Sequence, residues 1–194
     1  EMEMFLFATF AIENRITSPS PAPDEGLISQ IAAGSTAALA DLYRQTSSAV
    51  YGFALSMVKN SHDAEDITQD TYLRIFYGAG DYKPQGKPMA WILTIVKNLA
   101  LMKLRSQKAL VPLDREEWNL ADASDHVQTR ENRIVLEAAL RLLADDERQI
   151  LVLRAVSGLK HREIASLLDL KLATVLSKYH RALGKMRTRL MEGE

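Results

Sequence analysis

The sequence predicts an all-α protein made of two small helical modules joined by a flexible linker. Three observations carry this. Apolar residues recur at spacings of three, four and seven through most of the chain, which is the helical period. Nine Gly and six Pro in 194 residues fall below the ~12% that average usage gives. The periodicity lapses between about residues 109 and 130, and a length that allows one large domain or two small ones therefore resolves to two. No strand-like alternation of useful length and no internal repeat is present.

Residues 1–23 read as a tail. Its apolar run, Met4 to Ile12, is shorter than the ~20 residues that span a bilayer, and no Lys or Arg precedes Arg15, so it lacks the basic start of a signal peptide. Three prolines between Thr17 and Pro23 exclude a helix there, and folded structure is expected from Asp24. A helix follows from Ser35 to about Lys59, on Ala38, Leu39, Leu42, Tyr43, Val50, Phe53, Ala54 and Met57. After a break at Asn60-Ser61, a second runs from His62 to Tyr77 with Ile67, Tyr72, Leu73, Ile75 and Phe76 as its apolar part. Gly78, Gly80, Pro84, Gly86 and Pro88 enforce a loop. A third helix opens at Pro88, where proline is tolerated, and reaches about Lys108. Residues 109–130 hold five acids against two bases and form the acidic linker. Helical patterning resumes near Arg133, with breaks at Ala144-Asp145, Gly158 and Asp169 to Leu172. The domains are thus 24–108 and 131–194.

An apolar content of 47% with 25% charged residues excludes wholesale disorder. The absence of cysteine removes a disulfide framework, a thiolate zinc site and a Cys nucleophile together, and suits a reducing cytoplasm. Twenty-four basic residues against 25 acidic give a net charge of −1, so a nucleic-acid partner requires charge that is segregated locally.

It is segregated. From Tyr82 to Leu113 stand Lys83, Lys87, Lys97, Lys103, Arg105 and Lys108, with no acid among them. On a helical wheel Lys87, Thr94, Lys97, Asn98, Arg105 and Lys108 share roughly one 100° sector. Trp91 lies at its edge, and Tyr77 and Tyr82 precede it. Cations that follow phosphates, interleaved with rings that stack on unpaired bases, suit single-stranded nucleic acid, although a solvated face over core aromatics has the same pattern. The second helix is acidic, with Asp63, Glu65, Asp66 and Asp70. Neither His-Glu-x-x-His nor Glu-x-x-His occurs, and His62, His126, His161 and His180 lack ligand spacing, so no metal or other cofactor is expected; a face for a basic protein partner is the better reading. In the second module a short helix from His161 to Leu168, a tight break and a helix from about Ala173 have helix-turn-helix spacing. Thr174, Ser177, Lys178, Arg181 and Lys185 form its polar stripe, opposite Val175, Tyr179, Ala182, Leu183 and Met186. A recognition helix presents such a stripe to a major groove, as would a helical hairpin of no DNA significance.

Asp63-Ala-Glu-Asp-Ile-Thr-Gln-Asp-Thr-Tyr-Leu-Arg74, followed by Ala90-Trp91-Ile-Leu-Thr-Ile-Val-Lys-Asn98-Leu-Ala-Leu and Leu104-Arg105, resembles region 2 of the extracytoplasmic-function (group 4) sigma factors of bacterial RNA polymerase. Leu151-Val-Leu-Arg154, Gly158-Leu, Glu163-Ile-Ala165 and Thr174-Val-x-Ser-x-x-His-Arg-Ala182 resemble their region 4. The resemblance covers roughly 35–108 and 133–190. It implies a region 2 helical bundle and a region 4 helix-turn-helix, and a cytoplasmic, non-enzymatic, monomeric initiation factor without membrane insertion. Core polymerase (clamp and flap) would be bound through Asp63, Glu65, Asp66, Gln69 and Asp70. The minus-ten element would be melted and its single strand held by Tyr77, Tyr82, Lys83, Lys87, Trp91, Lys97, Asn98 and Arg105. The double-stranded minus-thirty-five element would be read by Thr174, Ser177, Lys178, His180 and Arg181, with Thr174 capping the helix or holding a phosphate. An anti-sigma factor is the further partner implied. Near-neutrality suggests that the isolated protein binds DNA weakly until polymerase presents it.

Some positions depart from the family pattern. Met102 replaces an acidic or amide residue, Leu176 a Lys or Arg, Lys178 an Arg, and Asp169 and Ala173 two glycines. Lys lacks the bidentate fork of Arg on guanine, and Leu176, beside Leu183 on the wheel, extends the core on this reading. The competing functional classes are a stand-alone helix-turn-helix repressor and a sigma-like decoy for an anti-sigma protein.

Overall fold

A computed structural model of the chain describes residues 22–110 and 138–191, which fall in two compact units. The apolar run at 4–12 and the acidic stretch at 111–130 lie outside the described residues. No strand occurs among those described.

The first unit opens with a helix that periodicity did not single out, α1 (Glu25–Ala32). Asp24 caps it by accepting from the Gly26 N–H at 2.9 Å, and Ile28 and Ile31 are each 1% exposed. At about 2–5 kcal/mol for truncating a buried Ile to Ala, this eight-residue helix is an integral part of the core. In α2 (Thr36–Val58) Ser35 is the cap, accepting from Ala38 at 3.2 Å, and Leu42, Val50, Phe53 and Leu55 are fully buried. Lys59 ends it in the left-handed region (φ 59°), and Asn60 at once caps α3 (Ser61–Gly78) by accepting from Asp63 at 3.0 Å. The break expected at Asn60-Ser61 thus lies one residue earlier: Lys59 stops one helix, Asn60 starts the next, and Ser61 is already helical. A 3-10 turn (Ala79–Asp81) and an irregular loop lead to α4 (Pro88–Leu110), which buries Met89, Ile92, Leu93, Val96, Leu99 and Ala100.

Helices α2, α3 and α4 pack on one another, with α1 against α2 and α3. Three buried threonine hydroxyls within this core are satisfied locally: Thr46, Thr68 and Thr71 each donate to the carbonyl four residues back at 2.7 Å. Thr46 also bonds the Tyr72 hydroxyl at 2.8 Å, and burial keeps that phenol protonated beyond its ordinary range. One expected core residue is displaced. Leu73, placed in the apolar part of its helix by sequence, is 56% exposed, because Ile67, Thr71, Tyr72 and Ile75 already fill the buried arc.

In the second unit, residues 138–142 are helical, followed by α5 (Asp145–Ala155), α6 (His161–Leu168) and α7 (Leu172–Met191), which pack on one another. Glu163 accepts from the Lys160 N–H at 2.8 Å and fixes the start of α6. The turn from α6 to α7 passes through Asp169 at φ 55°; aspartate enters this region more readily than most non-glycine residues, so the turn survives without a glycine. Val175, Tyr179, Ala182 and Met186 are buried as expected, with Leu183 half-buried. Leu176 does not extend the core: it is 36% exposed, since the wheel position beside Leu183 is already at the rim of the buried arc.

Candidate functional site

Lys87, just ahead of α4, and Thr94, Asn98 and Arg105 on it are exposed, and Lys97 is half-buried, while the Lys108 side chain lies outside the described set. Trp91 is half-buried and meets Tyr82 with ring centroids 4.8 Å apart and planes at 54°. The Tyr82 hydroxyl donates to the Glu25 carboxylate. Loss of solvent together with that carboxylate pushes the phenol up to about 12. Lys83 on the same loop is exposed. The sequence-predicted cationic stripe is thus an open face, edged by an ordered aromatic pair.

Tyr77 is placed elsewhere. It is 81% exposed and lines a shallow groove with Asp70, Leu73, Arg74 and Gly78. A second groove beside it joins Gln69 and Asp70 to Met102 and Lys103 across α4. Met102 is itself 55% exposed. The outer face of α3 therefore sets Gln69 and Asp70 beside the apolar Leu73 and Tyr77, and the groove continues to Met102 of α4. Asp63 of the same acidic set turns inward, and Asp66, at the rim of that groove, shares its cation. Lys103 Nζ lies 2.9 Å from Asp63 and 3.2 Å from Asp66, and Gln107 donates to Asp63 at 2.7 Å. The Asp63 bond, with smaller help from Asp66, raises the Lys103 pKa. Glu65 is half-buried. Sequence spacing grouped five polar residues on one helix, and the structure divides them between an inter-helix clamp and an open face.

On α7 the exposed arc includes Leu176, Ser177, His180 and Arg181. Lys178 instead reaches back to Asp146 at 2.7 Å and Lys185 to Glu147 at 2.6 Å, both acids standing in the first turn of α5. The outward face is therefore rotated from the stripe drawn on the wheel and carries less fixed positive charge. Thr174 is not the cap: the Lys171 carbonyl already accepts from Val175 at 3.1 Å, which places Thr174 within the first turn. His161 packs its ring 4.7 Å from Tyr179. Burial, then the charges of Arg154 and His180, lower the His161 pKa.

Sequence reasoning missed Glu25, Asp146 and Glu147, and it counted Lys103 in the cationic run without its acid partners. The two acids of α5 had a visible signal in the run Asp145-Asp146-Glu147 at a helix start, but only tertiary packing identifies their partners.

Residues 42–110 match the family model described as Sigma-70 region 2, and residues 133–186 that of Sigma-70, region 4. The exposed faces just described lie within these two matches, which define a two-region factor of the sigma-70 type. The chain is 32% identical to the ECF RNA polymerase sigma factor SigK of Mycobacterium sp. (strain KMS), over 78% of this chain and 82% of that protein. It is 33% identical to the ECF RNA polymerase sigma factor SigE of Mycolicibacterium smegmatis, over 76% of this chain, and the alignment spans 59% of that longer relative. The chain belongs to the ECF sigma factors of RNA polymerase. Its fold is similar to CnrH, solved in complex with the cytosolic domain of CnrY (TM-score 0.59, 23% identity, 88% of this chain and 99% of that one). It is also similar to the sigma factor RpoE solved with the anti-sigma factor NepR from Bartonella quintana (TM-score 0.56, 20% identity, 78% and 97%).

Proposed function

We propose that this ECF sigma factor acts as an alternative initiation factor in the cytoplasm, as a monomer without catalysis of its own, under the control of an anti-sigma factor. The outer face of α3 docks on core polymerase: Gln69 and Asp70 supply orientation, and Leu73 and Tyr77, with Met102 of the adjoining α4, supply the apolar contact that charge alone does not give. Asp63 and Asp66 serve this face indirectly by fixing α3 on α4. The loop 82–87 and the α4 face take the melted minus-ten strand. Lys83, Lys87, Lys97 and Arg105 follow its phosphates, Asn98 offers an amide to a base edge, and the Trp91–Tyr82 pair supplies the stacking edge. Extracting a base costs a few kcal/mol, which stacking at ~1–3 kcal/mol per base and pocket hydrogen bonds offset. Ser177, His180 and Arg181 on α7 read the minus-thirty-five duplex, with Lys178 and Thr174 at the margin.

The observation that carries this reading is the open α4 face, with polar and cationic positions in register beside an ordered aromatic pair, within a region 2 match. Reconstitution with core polymerase and a run-off screen of genomic fragments tests it. Promoter-specific transcripts and co-purification with core are expected, and their joint absence sinks the proposal. Anti-sigma control is supported by the two structural neighbours, one solved with an anti-sigma factor and one with a bound cytosolic domain.

A further inference from the structure

The loop between α3 and α4 is held by a residue from the other end of the unit. One oxygen of Glu25, in the first turn of α1, accepts the Tyr82 hydroxyl, the Gln85 N–H at 3.1 Å and the Gly86 N–H at 2.8 Å. Gly86 takes φ +69°, which turns successive N–H groups toward one anion. A side chain at that position is strained by the backbone alone, since no atom lies within 4 Å of where its Cβ would stand. Tyr82 then fixes the edge of Trp91, and Lys87 supplies the carbonyl that starts α4, accepting from Trp91 at 3.2 Å. The carboxylate so held titrates below the ordinary glutamate range, chiefly through the Tyr82 bond.

We infer that Glu25 is a positioning residue for minus-ten recognition: its carboxylate shapes the 82–87 loop so that Lys83, Lys87 and the Tyr82–Trp91 edge meet the melted strand in one fixed arrangement. This rests on the proposed function of the α4 face. A loop of six residues containing Pro and Gly has many conformations to lose on binding, and a brace formed before binding removes that cost. Glu25 acts on the loop rather than on the strand: one of its oxygens already takes three loop donors, and a carboxylate turned toward the strand would repel phosphate.

The full chain carrying Glu25→Ala, Glu25→Gln or Gly86→Ala tests the inference with two readouts. In the isolated protein, amide hydrogen exchange at Gln85 and Gly86 should accelerate at least tenfold in Glu25→Ala and Gly86→Ala and less in Glu25→Gln, with the α2 and α3 core amides unchanged. In holoenzyme, the ratio of affinities for a non-template minus-ten oligonucleotide and its scrambled version should fall about tenfold for the first two variants and recover in part with Glu25→Gln. Core affinity should stay within twofold. Unchanged exchange overturns the brace, and accelerated exchange with an unchanged ratio overturns its role in recognition. Core amides that exchange faster together with the loop would make Glu25 a folding residue and also overturn the inference. If wild-type holoenzyme shows no preference for any promoter strand, the proposed function of the α4 face fails, and with it the role in recognition, while the exchange data still decide whether the brace exists.

Discussion

The two helices proposed to meet DNA share one electrostatic device, cations tied to acids of a neighbouring helix, and differ in which positions that device removes from the outward face. Lys87 just ahead of α4 and Arg105 on it are exposed, while Lys103, on another side of the same helix, is held by Asp63 and Asp66, and Glu25 is taken up by the loop. On α7, two cations of the polar stripe are bound by acids of α5, leaving Ser177, His180 and Arg181 as the polar groups on the outward arc. A helix that captures a flexible single strand benefits from unneutralised charge along its length. A helix that reads a rigid duplex needs its few contacts held in position, and a cation already satisfied within the protein adds little unspecific attraction.

The strongest test of this contrast is on the α4 side. Trp91→Ala with Arg105→Ala should lower open-complex formation by roughly 100-fold, given ~1–3 kcal/mol per stacked base and a lost phosphate contact; potassium permanganate footprinting of the melted strand measures it. On α7 the asymmetry predicts unequal effects. Arg181→Ala should cost about 1–3 kcal/mol of discrimination at one base pair, whereas Lys178→Ala should cost clearly less, which competition binding to mutated minus-thirty-five duplexes will separate. Equal losses would break the comparison. Asp146→Ala sharpens it in the other direction: Lys178 gains access to phosphate, so affinity for any duplex should rise and the salt slope should steepen by about 1. The smallest effect concerns pH. The His161 pKa is lowered in the fold, so the unfolded chain binds the proton first and stability falls as pH drops through the ordinary value of 6.5 and below. Amides of α6 and α7 should lose exchange protection between about pH 7 and 5 before those of α2 and α4, and His161→Gln should flatten the trend.

The long helices were legible because their apolar residues repeat over many turns and their ends carry Ser35, Asn60 and Pro88. Helix α1 was not, since two buried isoleucines in eight residues after a proline-rich run make too short a pattern. Leu73 and Leu176 were misplaced for a related reason: a wheel assigns a direction, and only packing decides how wide the buried arc is. Charge segregation found the α4 face, but it could not tell which cations are spent internally. Lys178 meets an acid 32 positions away and Tyr82 one that is 57 away, and such pairings leave no local signature.

The turn at Asp169 has a consequence for how the second unit meets the groove. A glycine there would be at ease with either sign of φ and would let the two helices flex about the joint; aspartate accepts the left-handed geometry at a cost of roughly 1 kcal/mol. In return it narrows the conformations open to the denatured chain. On the proposed function, helices α6 and α7 would approach duplex DNA as a stiffened corner, and a change such as Asp169→Gly would loosen the joint without touching a proposed base contact.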